Sequence, residues 1–367
     1  MKKGLKVGTS RIKFYFCKYM MKNMGKRKVT LQDIANAMHL TPSAVSKALN
    51  DHPRMSDDTK AAVKKMAKKL NYKPNQLAAA LRSGRSKLIG VVVPAVDFSF
   101  FSSVIKGIEE TVMEAGYRVL LAQSGNSEQK EQEVVETLLD ARVDGLIVSI
   151  GSDIEDFSHL QRVKEQQIPL ILFDRVLKDF GVSTVELDDF KGAYEAVTHL
   201  INQGCRRIAH LAGSAHLELY ANRIAGYKAA LIDAAIPVRE DYILNSELLV
   251  EDGRNCMEKL LKLPIEERPD ALFCASDFSA VGALQILRKN KICVPKEMKI
   301  VGFSNEDFTL YLEPAISTVD QASIKMGHCA GKLILRQLRQ ESESFVPQRV
   351  VLEPTLIIRN SSKNDVD

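Results

Sequence analysis

The chain of 367 residues is 45% hydrophobic and 26% charged, the balance of a folded protein of two or three domains, which excludes a mainly disordered or fibrous chain. It has no apolar run of bilayer-spanning or signal-peptide length, and the six cysteines, at 17, 205, 256, 274, 293 and 329, form no CxxC pair; a membrane protein, a disulfide framework and a metal site are disfavoured, and the chain reads as cytoplasmic with no cofactor. The net charge of +5 hides a division: residues 1–87 hold 21 Lys and Arg against 4 Asp and Glu, and the remaining 280 hold 30 against 42. A basic head on an acidic body points to a polyanion partner for the head alone.

Residues 1–28 have no helix caps and no clear period, and Met24 stands just before GKRKVTLQDIA. They read as an extension that need not be translated, with Met1, Met21 and Met24 as alternative starts. From there Thr30 is an N-cap with acidic Asp33 at N3, and Leu31, Ile34, Ala35 and Met38 give helical spacing, so a helix is predicted over about 31–38. Thr41 caps a second helix with Pro42 at its first position, the stretch TPSAVSKALN. Val45 and Leu49 share its apolar face, while Ser43, Ser46, Lys47 and Asn50 fall on a polar, basic face. Ala44 and Ala48 keep the helix thin. A third helix starts at Ser56, with Asp57 and Asp58 in its first turn, and runs through Val63, Met66 and Leu70, leaving Lys64, Lys65, Lys68 and Lys69 outward. Two short helices joined by a tight turn and braced by a third form a helix-turn-helix unit, expected over 29–73, with the second helix placed to enter a DNA major groove. Three-helix packing without DNA is the alternative. In YKPNQLAAALRSG, Asn75 caps a helix from Gln76 to Leu81 that is too short to stand alone, so 74–87 is expected to be a hinge that folds only when supported.

The segments VTLQDIA, AVSKALN, LNYKPNQLA and KLIGVVVP resemble the lactose/galactose-repressor (LacI/GalR) family of bacterial transcription regulators, and the resemblance continues more loosely to about residue 359. It implies that Pro42, Ser43 and Lys47 face base edges, that Thr30, Thr41, Arg54, Tyr72 and Asn75 hold phosphates, and that Leu81 is a hinge-helix wedge. Paired hinge leucines of this kind open a minor-groove step and bend the duplex. Many members carry Arg where this chain has Lys47, which lacks the planar fork, so softer base discrimination is expected there.

After Lys87, β-rich apolar runs (LIGVVVP, YRVLLAQ, DGLIVSI, IPLILFD, RRIAHLAG, DALFCAS, MKIVGFS) alternate with amphipathic helices, which implies parallel sheets covered on both faces in an α/β body. The resemblance implies two periplasmic-binding-protein-like lobes crossed three times by the chain. One lobe would take roughly 88–189 plus a return near 320, and the other roughly 190–319 plus the end. The body is expected over 88–360, with 361–367 as a polar tail. A ligand would sit in the cleft at the strands' C-terminal ends.

Beyond LIGVVVP stand Phe98, Phe100 and Phe101, able to stack on a sugar or base, with core packing of at least one as the alternative. Asp174, closing IPLILFD, reads as an acceptor of ligand hydroxyls or equally as a helix cap or partner of Arg175. Arg223 matches the family's ligand-clamping arginine, with an interlobe salt bridge as the competing role. Asp277 reads as a cap, with Ser276 or Phe278 facing the cleft, and Gln321 matches a family position near the ligand. Ser304 replaces an aspartate common in relatives, and Leu217 and Leu219 precede Arg223 by six and four positions, so the pocket is expected to be less acidic and partly apolar.

The sequence contains no G-x-G-x-x-G after a strand, P-loop, H-E-x-x-H or G-x-S-x-G motif, and an enzyme is not the reading. The favoured reading is a homodimeric regulator, most naturally a repressor, that binds a near-palindromic DNA operator and senses a small metabolite, a sugar or sugar derivative, through hinge-helix formation. A protein co-effector is the alternative. A solute-binding protein of uptake shares the lobes but not the basic head.

Overall fold

The computed structural model describes residues 29–73, 84–339 and 346–364, and the chain divides into two compact units, Met1–Ser86 and Lys87–Asp367. The first holds three helices, α1 (Leu31–Met38), α2 (Pro42–Leu49) and α3 (Asp57–Lys69). Each begins where a side chain satisfies an otherwise orphaned N–H. Thr30 and Asp33 form a reciprocal capping box, the Thr41 hydroxyl accepts from Ala44 N–H at 3.2 Å, and the Ser56 hydroxyl accepts from Thr59 N–H at 3.4 Å. His39, at φ 55°, ends α1 and turns the chain into α2. Ile34, Ala35, Val45, Ala48, Val63 and Ala67 form the buried centre, with Leu31, Leu49, Met66 and Tyr72 packed around it. The proposed extension over 1–28 and the hinge helix lie outside the described residues.

The body is built from two parallel sheets. The first follows the order β11 (Arg349–Leu352), β5 (Ser183–Leu187), β4 (Leu170–Phe173), β3 (Gly145–Val148), β1 (Leu88–Val93) and β2 (Arg118–Gln123). Alternation along β1 serves two layers. Ile89, Val91 and Val93 pack with α4 (Ser99–Glu114) and α11 (Ser323–Arg339), while Val92 joins residues of α5 (Glu128–Asp140) and α6 (Ser158–Glu165). The second sheet runs β7 (Ile243–Asn245), β6 (Ile208–Ala212), β8 (Ala271–Cys274), β9 (Lys299–Val301). Helices α7 (Asp189–Asn202) and α8 (Glu218–Asp233) cover one face, and α9 (Val250–Leu261) and α10 (Asp277–Lys289) the other.

The chain passes between lobes after β5, after β10 (Thr318–Asp320), and between β11 and β12 (Thr355–Ile357), and β10 and β12 pair antiparallel at the junction. The return to the first lobe therefore supplies both a helix and an edge strand. Close helix crossings are made at glycine. A Cβ on Gly253 would lie 2.0 Å from Ser279 O, and one on Gly282 would lie 2.0 Å from Val250 O, so α9 and α10 touch backbone to backbone.

One boundary needs correction. Ser361 and Ser362, expected in a polar tail, are fully buried in the second lobe. Ser361 donates its hydroxyl to Ile300 O at 2.6 Å and accepts from Ser317 N–H at 2.8 Å, and the Ser362 hydroxyl lies 2.8 Å from His199 Nε2. Polar side chains with every partner supplied from protein can be buried, and composition alone does not reveal that.

Candidate functional site

In the head, Ser43, Lys47 and Asn50 of the second helix are exposed, Pro42 is half-buried, and Thr41 stands at the helix entrance. Ser46 is a correction: only 9% exposed, it sits on the side of α2 that also buries Val45 and Ala48. Asn50 donates its amide to Ser46 O at 2.8 Å. The hydroxyls of Thr30 and Thr41 already serve as caps. Arg54 is exposed, and Tyr72 is half-buried against the head's core. Asn75 and Leu81 lie outside the described residues. Lys64 approaches Asp51 at 2.5 Å, and Lys65, Lys68 and Lys69 are exposed beside it on α3.

In the body, a cavity of about 250 Å³ lies between the lobes, near the lower bound for small-molecule sites. All nine residues singled out from the sequence line it: Phe98, Phe100, Phe101, Asp174, Arg223, Ser276, Phe278, Ser304 and Gln321. They come from strand ends and helix starts of both lobes. Phe100 and Phe101 are buried in the core and present only part of their rings, while Phe98 meets Phe278 across the cleft edge-on at 5.0 Å.

Arg223 is 3% exposed on α8. Its Nε donates to Asp189 Oδ1 at 2.8 Å, Nη1 to Ala275 O at 2.8 Å and Nη2 to Gln321 Oε1 at 3.3 Å, while the Phe303 ring stacks 3.6 Å from the guanidinium. The arginine therefore ties the first and second crossovers together and lines the cavity at the same time. Burial pushes the Asp189 carboxyl up to about 6 against the opposing pull of Arg223. Gln321 passes the chain of bonds on to the Ser304 hydroxyl at 2.9 Å. Ser304 holds φ 121°, a strained backbone for a residue with a side chain. Across the cavity burial raises the Asp174 carboxyl, with Arg175 and Arg223 acting against it, and Asn126 accepts from Arg175 Nη1 at 2.7 Å.

Asp277 is not a cleft residue. Ser276 caps α10, and Asp277 is fully buried behind it, accepting from Glu306 N–H at 2.9 Å and the Thr318 hydroxyl at 2.7 Å. Burial pushes its carboxyl up to about 7. The expected apolar wall exists in Leu217 and Leu219, joined by Leu248 and Leu249. Carboxylates also line the cavity: Glu306, two positions after Ser304, reaches it with Asp174 and Glu247. Sequence reading missed Glu306 because its partner is Ser99, 207 residues away; a carboxylate in the first loop after a core strand was the available signal.

A helix-turn-helix head with an exposed Ser and Lys on its second helix, joined to a two-lobed body with an interlobe cleft, defines a ligand-responsive DNA-binding regulator. Residues 30–75 match the family of bacterial regulatory proteins of the lacI type, and residues 86–344 match the periplasmic binding proteins and sugar binding domain of the LacI family. The chain belongs to the LacI family of transcription regulators. The HTH-type transcriptional repressor PurR of Actinobacillus pleuropneumoniae is 29% identical over 91% of this chain and 98% of its own length, and the ribose operon repressor of Haemophilus influenzae 30% over 90% and 98%. Among solved structures, the complex of the transcriptional regulator CelR with cellobiose has a TM-score of 0.68 at 27% identity, covering 91% of this chain and 100% of that one. The lac repressor dimer bound to operator and an anti-inducer shares the fold, with a TM-score of 0.80 at 23% identity, covering 92% of this chain and 99% of that one.

Proposed function

We propose that this regulator is a repressor that binds a near-palindromic operator as a homodimer and is controlled by a sugar or sugar derivative bound in the interlobe cleft. The observation that carries the reading is the gathering of ring faces (Phe98, Phe278), hydroxyl-pairing groups (Asp174, Arg223, Gln321) and small polar side chains (Ser276, Ser304) from both lobes around one cavity. A sugar needs these groups, apolar faces for its C–H surface and convergent donors and acceptors for its hydroxyls. The solved cellobiose complex of a relative above 25% identity supports the ligand class.

In the head, Pro42, Ser43 and Lys47 read base edges, while Thr30, Thr41, Asn50, Arg54, Tyr72 and Asn75 hold the backbone. Residues 29–73 form this unit, 74–87 the hinge and the residues from 88 onward the body, with Leu81 as the minor-groove wedge. Effector binding changes the lobe arrangement and so decides whether two hinge helices meet; the coupling equals the difference in effector affinity between the two arrangements. The whole acts in the cytoplasm.

The test is selection of duplexes from a random pool with the full chain, followed by titration of the selected duplex with ribose, cellobiose and related sugars. The expected result is enrichment of inverted half-sites and a change of about 5- to 150-fold in affinity with at least one sugar. Failure to enrich any duplex rejects the DNA reading. Enrichment with no response to any sugar transfers control to a protein co-effector.

A further inference from the structure

Two features of the cleft ordinarily attract anions, and each already holds a carboxylate of this chain. The first is Arg223, whose charge is met by Asp189 at 2.7 Å. The second is the start of α4 in the first lobe, where first-turn N–H groups and the positive helix end favour negative charge. Glu306 is seated there from the other lobe. It is 4% exposed; Oε2 accepts from Ser99 N–H at 3.0 Å and from the Ser99 hydroxyl at 2.5 Å, and Oε1 lies 3.4 Å from Phe100 N. The backbone under it is fixed by the bond from its N–H to Asp277, and Phe278 of α10 lies edge-on to Phe98 on one side and Phe308 on the other, 5.0 Å from each. The charge balance points the same way: Asp174, Glu247 and Glu306 line the cavity, against Arg175 and Arg223, and Arg223 is already neutralised. A phosphate or carboxylate entering this site would find both docking points filled and would be desolvated beside like charges, a cost that separates it from a neutral ligand of the same shape.

We propose that Glu306 is a specificity-determining residue, a built-in anion on the N-terminus of α4 that makes the cleft accept neutral polyhydroxylated sugars and refuse their phosphate esters and acids. The inference rests on the cleft being the effector site.

Thermal unfolding of the full chain tests it with ribose, cellobiose, ribose 5-phosphate and inorganic phosphate as probes, on the unaltered protein, Glu306→Ala and Glu306→Gln. Removing the carboxylate leaves the Ser99 and Phe100 donors unpaired, so millimolar phosphate is expected to raise the midpoint of Glu306→Ala by about 2–4 °C and to leave the unaltered protein unmoved. Glu306→Gln, which keeps an acceptor but no charge, should respond less than Glu306→Ala and tolerate the ester better than the unaltered protein does. An unaltered protein stabilised by phosphate or the ester as strongly as Glu306→Ala overturns the proposal, as does a Glu306→Ala indifferent to both. Should Glu306→Ala fail to fold, the gain or absence of an ester response in Glu306→Gln decides. If phosphate acts only on the variants while neither neutral sugar moves any form, the role of Glu306 stands and the sugar reading falls. If the ester binds the unaltered protein as well as the neutral sugar does, the sugar reading stands and this proposal falls.

Discussion

Gly253→Ala should destabilise the body and open the cleft at one wall. The added Cβ would sit 2.0 Å from Ser279 O and 2.7 Å from Ser279 C, both backbone atoms, short of van der Waals contact by more than about 1 Å. No side-chain rotation relieves this, so α9 and α10 must separate, which places the cost near the upper end of the roughly 1–3 kcal/mol seen for overpacked cores. Alanine returns about 1 kcal/mol through its better helix propensity. A net loss of about 2 kcal/mol remains, which for a body of this size lowers the unfolding midpoint by about 3–4 °C. Because α10 starts at Ser276 and Phe278, both on the cavity wall, ligand affinity should fall with stability. Gly282→Ala strikes the reciprocal contact with Val250 O, and the double variant should lose less than the sum, since one separation accommodates both methyl groups. Thermal and urea unfolding measure each term. A Gly253→Ala midpoint at or above that of the unaltered protein, or strict additivity with Gly282→Ala, would refute the reasoning.

Three further outcomes follow from the same structure. Lys47→Ala should weaken binding to the selected duplex by about tenfold or more, whereas Ser46→Ala, on the buried side of the same helix, should change it by less than about twofold; equal losses in an anisotropy titration would return Ser46 to the contact face. The buried Asp277 carboxyl, pushed up to about 7 from an ordinary 3.8, takes up its proton more readily in the folded than in the unfolded chain. Its stabilising share is therefore complete below about pH 4 and is lost as pH rises through 7, by up to about 4 kcal/mol; the difference in unfolding free energy between the unaltered protein and Asp277→Asn should drift across that window, and a constant difference from pH 4 to 8 removes the group from the account. Removing everything after Leu352 strips β12 and the buried Ser361 and Ser362 from the second lobe, and the truncated chain should unfold at a markedly lower midpoint; an unchanged midpoint would show those bonds to be dispensable.

What the sequence reveals follows the range of the interactions involved. The head's first helix has the predicted span because its start is set by Thr30 and Asp33, three residues apart. The long apolar runs all become strands; β1, β3, β4, β6, β8 and β9 are buried on both faces, which leaves an unbroken apolar signature, while β2, at a sheet edge, is half exposed. The short strands β7, β10 and β12 carry no such signature: β10 and β12 are set by where the chain crosses between lobes, and β7 is a three-residue edge strand of the second sheet. Ser46 lies on the buried side of α2 with Val45 and Ala48, which the helical spacing alone does not separate from the polar face, and Glu306 and Asp189 were missed because their partners, Ser99 and Arg223, are brought near only by the completed fold. Even so, strand ends and family positions named nine residues that one cavity gathers, since in parallel α/β lobes the C-terminal strand ends all face the same crevice.

The three crossovers bear on how this chain comes off the ribosome. The first lobe's sheet has Arg349–Leu352 as an edge strand and Ser323–Arg339 as a covering helix, and the second lobe is sealed by residues 355–362. Neither lobe can close until nearly all of the chain has emerged, although the head, with its own small core and local caps, is complete within the first fifth of the sequence. A basic helix-turn-helix with its own core thus emerges ahead of the body, and the charge that attracts DNA to it owes nothing to the lobes that follow.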